Sequence, residues 1–154
     1  MNQNFSEIGR GISIIDRLMK MYYDKSLAEY DIGWGQQFYL ELIADNPGIS
    51  PQSMAQHLHV DKATITKVVK YLHQINYIII ETDKDDKRIR HLYTTPAANP
   101  AVAQIKALHQ KFYADLTEGI LKTDVVQTKT CLDKMVNNLS QHIWHRMEVN
   151  NASK

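Results

Sequence analysis

The sequence predicts a mainly α-helical protein that carries one small β-hairpin. Three observations lead to this fold class. Apolar residues recur at steps of three and four in long segments near both ends of the 154-residue chain, as in amphipathic helices. Two short helical segments joined by a tight turn occupy the middle. A β-branched strand, a charged tip and a returning strand follow them.

The first element is a long amphipathic helix over about residues 5–29. Its apolar stripe comprises Ile8, Ile12, Ile15, Met19 and Tyr22. Residues 31–35 interrupt the pattern, and a second helix is predicted over about residues 36–44. This helix ends at residues 45–48, Asp-Asn-Pro-Gly, which form a strong turn signal.

Two short helices joined by a tight turn are predicted between residues 50 and 74. Ser50 is a suitable N-cap for the first, and Pro51 suits its first position because proline has no N–H to lose. The turn lies at residues 59–60, and Asp61 caps the second helix. The inward stripe of the second helix is Ile65, Val68, Val69 and Leu72. This is the geometry of a helix-turn-helix, whose second helix fits the DNA major groove.

A change of periodicity after Asn76 predicts a β-hairpin. Residues 77–82 form the first strand, residues 83–87 a polar tip, and residues 88–94 the returning strand. With the preceding helices, this hairpin predicts a winged helix-turn-helix core.

Two long helices complete the chain. Thr95-Pro96 and Asn99-Pro100 are both cap-then-proline starts, and the second is favoured for the continuous helix. The last helix covers about residues 124–148. The terminal helices carry more apolar stripe than one small centre can cover, which favours burial against a second copy. The predicted organisation is therefore a dimerisation helix (1–30), a DNA-binding lobe (31–95), two dimerisation helices (96–150) and a tail (151–154).

The charge distribution indicates a candidate binding surface, although the net charge is only +1. The outward face of the second short helix carries groups that can contact bases or phosphates: Lys62, Ala63, Thr64, Thr66, Lys67 and Lys70. Taken alone, this face is equally well explained as an ordinary solvated helix surface.

The hairpin tip supplies more basic groups, Lys84, Lys87, Arg88 and Arg90. Arginine is drawn into the minor groove by its negative potential. Asp86 and Arg88 are two residues apart, so we expect them to project to the same side, with Asp86 orienting the guanidinium. A charged tip that prevents edge pairing is the alternative. Hairpin and helix-turn-helix in this order are more specific than either alone.

Residues 46–95 resemble the winged-helix core of the MarR/SlyA family of bacterial regulators. The resemblance rests on residues 46–50, 60–72 and 83–90, above all on the Asp-x-Arg wing motif at residues 86–88. It implies a homodimeric, sequence-specific repressor that binds double-stranded DNA at a palindromic operator. The second helix would enter the major groove and Arg88 the minor groove, and the DNA backbone would contact Ser50 and Gln52.

The chain departs from the family pattern at two places. Lys87 replaces an arginine that is common in the wing, so the charge is kept but the planar fork is lost. Residues 96–98, Pro-Ala-Ala, follow Thr95 where the family tends to have glycine.

The resemblance also implies a small aromatic or anionic effector that binds between the dimer helices and the DNA-binding lobe. The candidate cleft residues are Tyr22, Tyr23, Trp34, Phe38 and Tyr39. Aromatic residues at helical spacing more often form core than pocket, so core packing is the alternative.

Other sensing chemistries have weaker support. Cys131 is the only cysteine, so no intrachain disulfide is possible, and we expect it to be a small buried hydrophobe. His57, His59, His109, His142 and His145 suggest zinc, but no cysteine or carboxylate pattern completes a ligand set. We therefore expect no metal and no cofactor, with a metal-dependent regulator as an alternative.

The remaining function classes follow from what the sequence lacks. No phosphate-binding glycine loop or nucleophile elbow occurs, so an enzyme is not expected. No apolar run is long enough to span a bilayer, and no secretory signal is recognised, which favours the cytoplasm. A winged-helix interaction module that does not bind DNA is the second alternative.

Overall fold

A computed structural model describes the backbone of residues 3–152 and the side chains of residues 7–143. The predicted order of elements is confirmed. The helices are α1 (Gln3–Leu27), α2 (Trp34–Asp45), α3 (Pro51–Leu58), α4 (Lys62–Gln74), α5 (Asn99–Leu116) and α6 (Lys122–Ala152), and the strands are β1 (Ile78–Thr82) and β2 (Arg90–Thr94). Within this described part, no helix is both long and apolar enough to cross a membrane.

The chain divides into two compact units, residues 1–111 and residues 112–154. The core of the first unit is built by apolar side chains from α1, α2, the helix-turn-helix, the hairpin and α5. Its fully buried members include Leu27, Leu40, Ile43, Met54, Ile65, Leu72, Ile78, Leu92 and Ile105. Removing this apolar surface from water stabilises the arrangement of the short central helices.

The helix-turn-helix begins and ends as the sequence predicts. The Ser50 hydroxyl accepts the N–H of Ser53 at 3.1 Å, with Pro51 in the first helical position. The Asp61 carboxylate accepts the N–H of Thr64 at 2.8 Å, and this bond lowers the pKa of Asp61. Between the two helices, His59 adopts a left-handed conformation with φ of 52°.

The hairpin strands are shorter than predicted. β1 and β2 pair antiparallel from Ile78 opposite Thr94 to Thr82 opposite Arg90. The returning strand was expected from residue 88, but residues 88–89 belong to the turn between the strands. This turn, residues 83–89, is here called the wing turn. The N–H of Ile89 donates to the carbonyl of Asp86 at 2.9 Å, which closes the chain into a turn before the ladder resumes.

The junction between α1 and α2 differs from the predicted one. α1 ends at Leu27 and a 3-10 turn follows over Ala28–Tyr30, whereas α2 begins two residues early, at Trp34. The early start is explained by Asp24, whose carboxylate accepts the N–H of Trp34 at 2.8 Å. A Cβ added to Gly33 would lie 2.3 Å from Oδ1 of Asp24, so glycine permits this close approach.

Both long terminal helices expose apolar side chains. On α1 these include Ile8, Ile12, Ile15, Leu18 and Met21, and on α6 they include Val126, Leu132, Met135, Leu139 and Ile143. The expectation that Cys131 is buried was wrong, because it is exposed on α6. Its helix neighbours are exposed too, so the apolar pattern of this helix does not report burial within one chain.

Candidate nucleic-acid interface

The outward face of α4 is largely available to a ligand. Five of its six predicted contact residues are exposed: Lys62, Ala63, Thr66, Lys67 and Lys70. Thr64 is half-buried and its hydroxyl donates to Asp61 at 2.9 Å, so Thr64 is engaged in the helix cap. The hydroxyl of Thr66 donates to the carbonyl of Lys62 at 2.8 Å, which leaves its oxygen able to accept from a base.

Two tyrosine hydroxyls form hydrogen bonds that connect α4 and the residue before β1 to the segment before α2. The hydroxyl of Tyr71, on α4, donates to the carbonyl of Asp31. The hydroxyl of Tyr77 donates to the carbonyl of Tyr30 at 3.0 Å, and burial raises its pKa. Sequence reasoning missed both contacts, because their partners are backbone groups about 40 or more residues away.

The wing presents Arg88 in a fixed orientation. Its Nε donates to Oδ1 of Asp86 at 3.0 Å and its Nη2 donates to Oδ2 at 2.9 Å. This bidentate pair lowers the pKa of Asp86 and raises that of Arg88. The Arg88 side chain nevertheless remains 90% exposed. The pairing was expected from strand alternation, but it arises in a turn, where the N–H of Arg88 also donates to Asp86 at 3.0 Å.

The other predicted contact residues of the lobe differ in how they are held. Lys84 and Lys87 are exposed at the wing tip. The guanidinium of Arg90 donates to the hydroxyl of Thr82 across the hairpin. At the start of α3, Gln52 is exposed, whereas the hydroxyl of Ser50 is occupied by its capping bonds.

The base of the wing contains a hydrogen-bonded histidine, His91, which no local sequence motif marks. Nε2 of His91 lies 2.9 Å from Oδ2 of Asp83, and Nδ1 lies 2.9 Å from the carbonyl oxygen of Gly48. The same carboxylate accepts the N–H groups of Asp85 and Asp86, each at 2.9 Å. The pKa of Asp83 is lowered to about 2, chiefly by the N–H of Asp86 and by His91, and the pKa of His91 is raised, chiefly by Asp83.

Four of the five predicted cleft aromatics form one cluster. Adjacent ring centroids lie 5.5 Å apart for Tyr22 and Tyr23, 5.3 Å for Tyr23 and Trp34, and 4.7 Å for Trp34 and Phe38. No ring contact joins Tyr39 to this cluster among the described residues. Its pKa is raised by burial and by the charge of Asp61, at the start of α4.

His109 of α5 completes this aromatic cluster and was not predicted to belong to it. Its ring lies 5.5 Å from that of Tyr23 and 6.2 Å from that of Phe38. Nδ1 lies 3.1 Å from the carboxylate of Glu41 and Nε2 lies 2.9 Å from Oε1 of Gln37. Gln37 is fully buried, and its Nε2 has no hydrogen-bond partner among the described residues.

The zinc hypothesis gains no support from the described side chains. Across residues 7–143, no three histidine, cysteine or acidic groups converge in a way that could hold a metal ion. His145 lies outside the described side chains.

Comparison with known proteins shows what the part of the chain that carries this surface is similar to. A model of the MarR family matches residues 32–89, which include the helix-turn-helix and the wing motif. The uncharacterized HTH-type transcriptional regulator YybA of Bacillus subtilis is 30% identical over 90 residues, covering 58% of this chain and 60% of YybA. A MarR protein from Peptoclostridium difficile superposes with a TM-score of 0.83 at 26% identity, covering 88% of each chain. Residues 32–89 of the chain are thus similar to the MarR family of transcription regulators.

The winged-helix fold predicted from the sequence is thus confirmed, and so is the resemblance to the MarR family over residues 32–89. Staphylococcus aureus MepR, solved as a DNA complex, has a similar fold, with a TM-score of 0.78 at 21% identity. The superposition covers 88% of this chain and 97% of MepR. The chain spans only 60% of the length of YybA and 40% of that of a second curated relative, from Thauera aromatica. YybA is named as a regulator, so an enzymatic role for this chain has no support from that comparison.

Proposed function

We propose that this chain is a MarR-type regulator, a homodimeric repressor that binds a palindromic double-stranded DNA operator. The observation that carries the proposal is the exposed, bidentate Asp86–Arg88 pair, carried on the same compact unit as the exposed basic face of α4. α4 enters the major groove and Arg88 the adjacent minor groove, where the guanidinium is attracted by the negative potential. MepR, which has a similar fold, was solved as a complex with DNA, and this supports DNA binding by analogy of fold.

The proposed dimer uses the exposed apolar faces of the terminal helices. Large apolar side chains such as Ile12 (49% exposed) and Leu139 (62% exposed) are unfavourable in water. An isologous contact between two copies would cover them, and its twofold axis would relate the two α4 helices. The two half-sites then lie about 10 base pairs apart, one helical turn.

The proposed effector site is the cluster of Tyr22, Tyr23, Trp34, Phe38 and His109. Lys111 lies 5.9 Å from the centre of the Tyr22 ring, so the cluster has a cation at its edge. An aromatic anion matches this combination of ring faces and positive charge. Among the residues that the structure describes, Nε2 of the buried Gln37 has no hydrogen-bond partner, so it supplies a donor that such a ligand can use. The expected cytoplasmic location follows from a DNA partner and stays a prediction.

Fluorescence anisotropy against DNA from the upstream region of the gene, with a scrambled duplex as control, tests the proposal at two salt concentrations. We expect tight, salt-sensitive binding to the upstream DNA at two chains per duplex. Arg88→Ala weakens it, whereas Lys129→Ala, which removes an exposed cation on α6, does not. Equal weak binding to all duplexes, including genomic fragments, would favour the interaction module instead.

A further inference from the structure

We propose that His91 is a positioning residue of the wing, and that a proton on its ring couples the presentation of Arg88 to pH. This inference rests on the proposed DNA binding for its consequence, but its chemistry belongs to the DNA-free protein. It assigns a regulatory role to a residue that contacts no DNA in the proposed arrangement.

The hydrogen bonds of His91 require a doubly protonated ring. Nδ1 faces the carbonyl oxygen of Gly48 and Nε2 faces the carboxylate of Asp83, both at 2.9 Å. A carbonyl oxygen and an ionised carboxylate can only accept. A neutral imidazole has one N–H and can satisfy only one of them, leaving its other lone pair against an acceptor. The imidazolium alone donates to both.

The proton is placed on His91 and not on Asp83 by the wing turn itself. Oδ1 of Asp83 accepts the N–H groups of Asp85 and Asp86, which favours the ionised carboxylate. These bonds and His91 lower the pKa of Asp83 to about 2, and the carboxylate in turn raises the pKa of His91. Both side chains are about one-third exposed, at 31% for His91 and 29% for Asp83, so protons exchange freely with solvent.

None of the other charged or titratable groups near the His91 ring takes the place of Asp83 as its hydrogen-bond partner. From β1, the cross-strand partner Glu81 adds a weaker attraction for the proton. On β2 itself, the Arg90 guanidinium is bonded to Thr82 across the hairpin. On the neighbouring helices, Asp45 of α2 pairs with Lys106 at 2.6 Å, and His57, the titratable group of α3, is exposed.

A continuous set of hydrogen bonds leads from His91 to Arg88. On one side, Gly48 is tied to the sheet, because its N–H donates to the carbonyl of Leu92 at 2.8 Å. On the other side, Asp83 holds the N–H of Asp86, and the carboxylate of Asp86 holds the guanidinium of Arg88. His91 therefore connects the turn between α2 and α3 to the turn that orients the arginine.

The direction of the pH effect follows from the raised pKa of His91. The two hydrogen bonds that the His91 ring donates, to Gly48 and to Asp83, are here called the anchor. Both are present below the ordinary histidine pKa of about 6.5, and one is lost as pH rises through the higher folded-state pKa of His91. Loss of one anchoring hydrogen bond lets the wing turn sample other conformations. We expect DNA affinity to fall by about two- to tenfold over that interval, the range that corresponds to one net hydrogen bond.

The first experiment titrates the full-length, DNA-free protein by NMR, following the ring nitrogens of His91 and the backbone amides of Asp85, Asp86 and Arg88. We expect the His91 ring to be doubly protonated at pH 6.5 and its pKa to lie above that of an exposed histidine. We also expect the three amides to shift with the same midpoint. A ring that is neutral at pH 6.5, or amides that do not follow it, would overturn the proposal.

The second experiment measures DNA affinity against pH for the natural chain, for Asp83→Asn and for His142→Gln. The side-chain amide introduced by Asp83→Asn can accept from the same two N–H groups and donate to a neutral His91, so the anchor no longer needs the proton. We expect Asp83→Asn to lower the pKa of His91 and to abolish the two- to tenfold fall, while His142→Gln, on α6, retains it.

The two experiments separate the inference from the proposed function. If the NMR titration succeeds but no duplex binds at any pH, the anchor stands and the proposed DNA binding fails. If DNA binds and the pH profile of Asp83→Asn matches that of the natural chain, the coupling is refuted while DNA binding stands. The comparison uses the shape of the profile, because removing a negative charge raises affinity for DNA at every pH.

Discussion

The carboxylate of Asp86 holds the guanidinium of Arg88 in a bidentate pair, at 3.0 Å and 2.9 Å, while the arginine side chain stays 90% exposed. An exposed ion pair contributes little to folding stability, because solvent screens it and two side chains lose freedom. Its value lies in orientation, since a pre-organised guanidinium loses less freedom when it meets a ligand. The pair is therefore better explained by recognition than by stability.

Replacing Arg88 separates charge from shape. We expect Arg88→Ala to reduce affinity for the operator by about ten- to hundredfold, as for a specific arginine contact. We expect the operator affinity of Arg88→Lys to lie between those of Arg88→Ala and the natural chain. Lysine keeps the charge but lacks the planar guanidinium with which Asp86 forms its bidentate hydrogen bonds. Anisotropy titration at fixed salt measures both. Equal affinity of the lysine variant and the natural chain would mean that only charge matters at this position.

Lys70 tests the face of α4. If its ammonium contacts a phosphate, Lys70→Ala reduces the slope of log affinity against log salt concentration by about one. The loss should be similar for operator and scrambled DNA, since phosphate contacts carry no sequence information. Lys129→Ala is the matched control, because it removes one exposed lysine from α6 and should leave the slope unchanged. An unchanged slope for Lys70→Ala would remove this residue from the interface.

The features that could be predicted from the sequence are those set by local chemistry. Ser50 and Asp61 are caps because a short oxygen-bearing side chain satisfies the free N–H groups of the next helical turn, and this depends on neighbouring residues alone. The helical period located α4 to the residue, as its core side chains recur every three or four positions. The fold class and the resemblance to the MarR family followed from such local signals taken in order.

The features that escaped prediction depend on contacts between distant parts of the chain. His91 meets Gly48 across 43 positions, and His109 meets Gln37 across 72. No local pattern marks such partners, since a histidine beside polar residues resembles any surface histidine. Cys131 shows the opposite failure: an apolar pattern indicates burial but does not state whether the covering surface belongs to the same chain.

Gly33 is a position where the structure predicts a clear loss of stability. Its added Cβ would lie 2.3 Å from the Asp24 carboxylate that caps Trp34, so Gly33→Ala displaces that carboxylate. We expect a loss of about 1–2 kcal/mol in the free energy of unfolding, as for other lost caps. Gly35→Ala is the matched control, because nothing lies within 4 Å of its added Cβ. Urea denaturation measures both, and equal effects would exclude the capping role of Asp24.

The exposed stripe of α1 provides the test of the dimer. We expect Ile12→Asp to convert the protein to monomers in sedimentation velocity, because a charge at the centre of an isologous contact is buried twice, once in each copy. Ile79→Asp on the hairpin is the matched control, since Ile79 is 42% exposed and Ile12 is 49% exposed.

The control should remain dimeric, and both variants should keep the helical circular dichroism of the natural chain. A monomeric Ile12→Asp should also lose most of its affinity for a two-half-site operator, because linked half-sites no longer act together. Retained dimers in both variants would mean that the apolar stripe of α1 is covered by something other than a second copy.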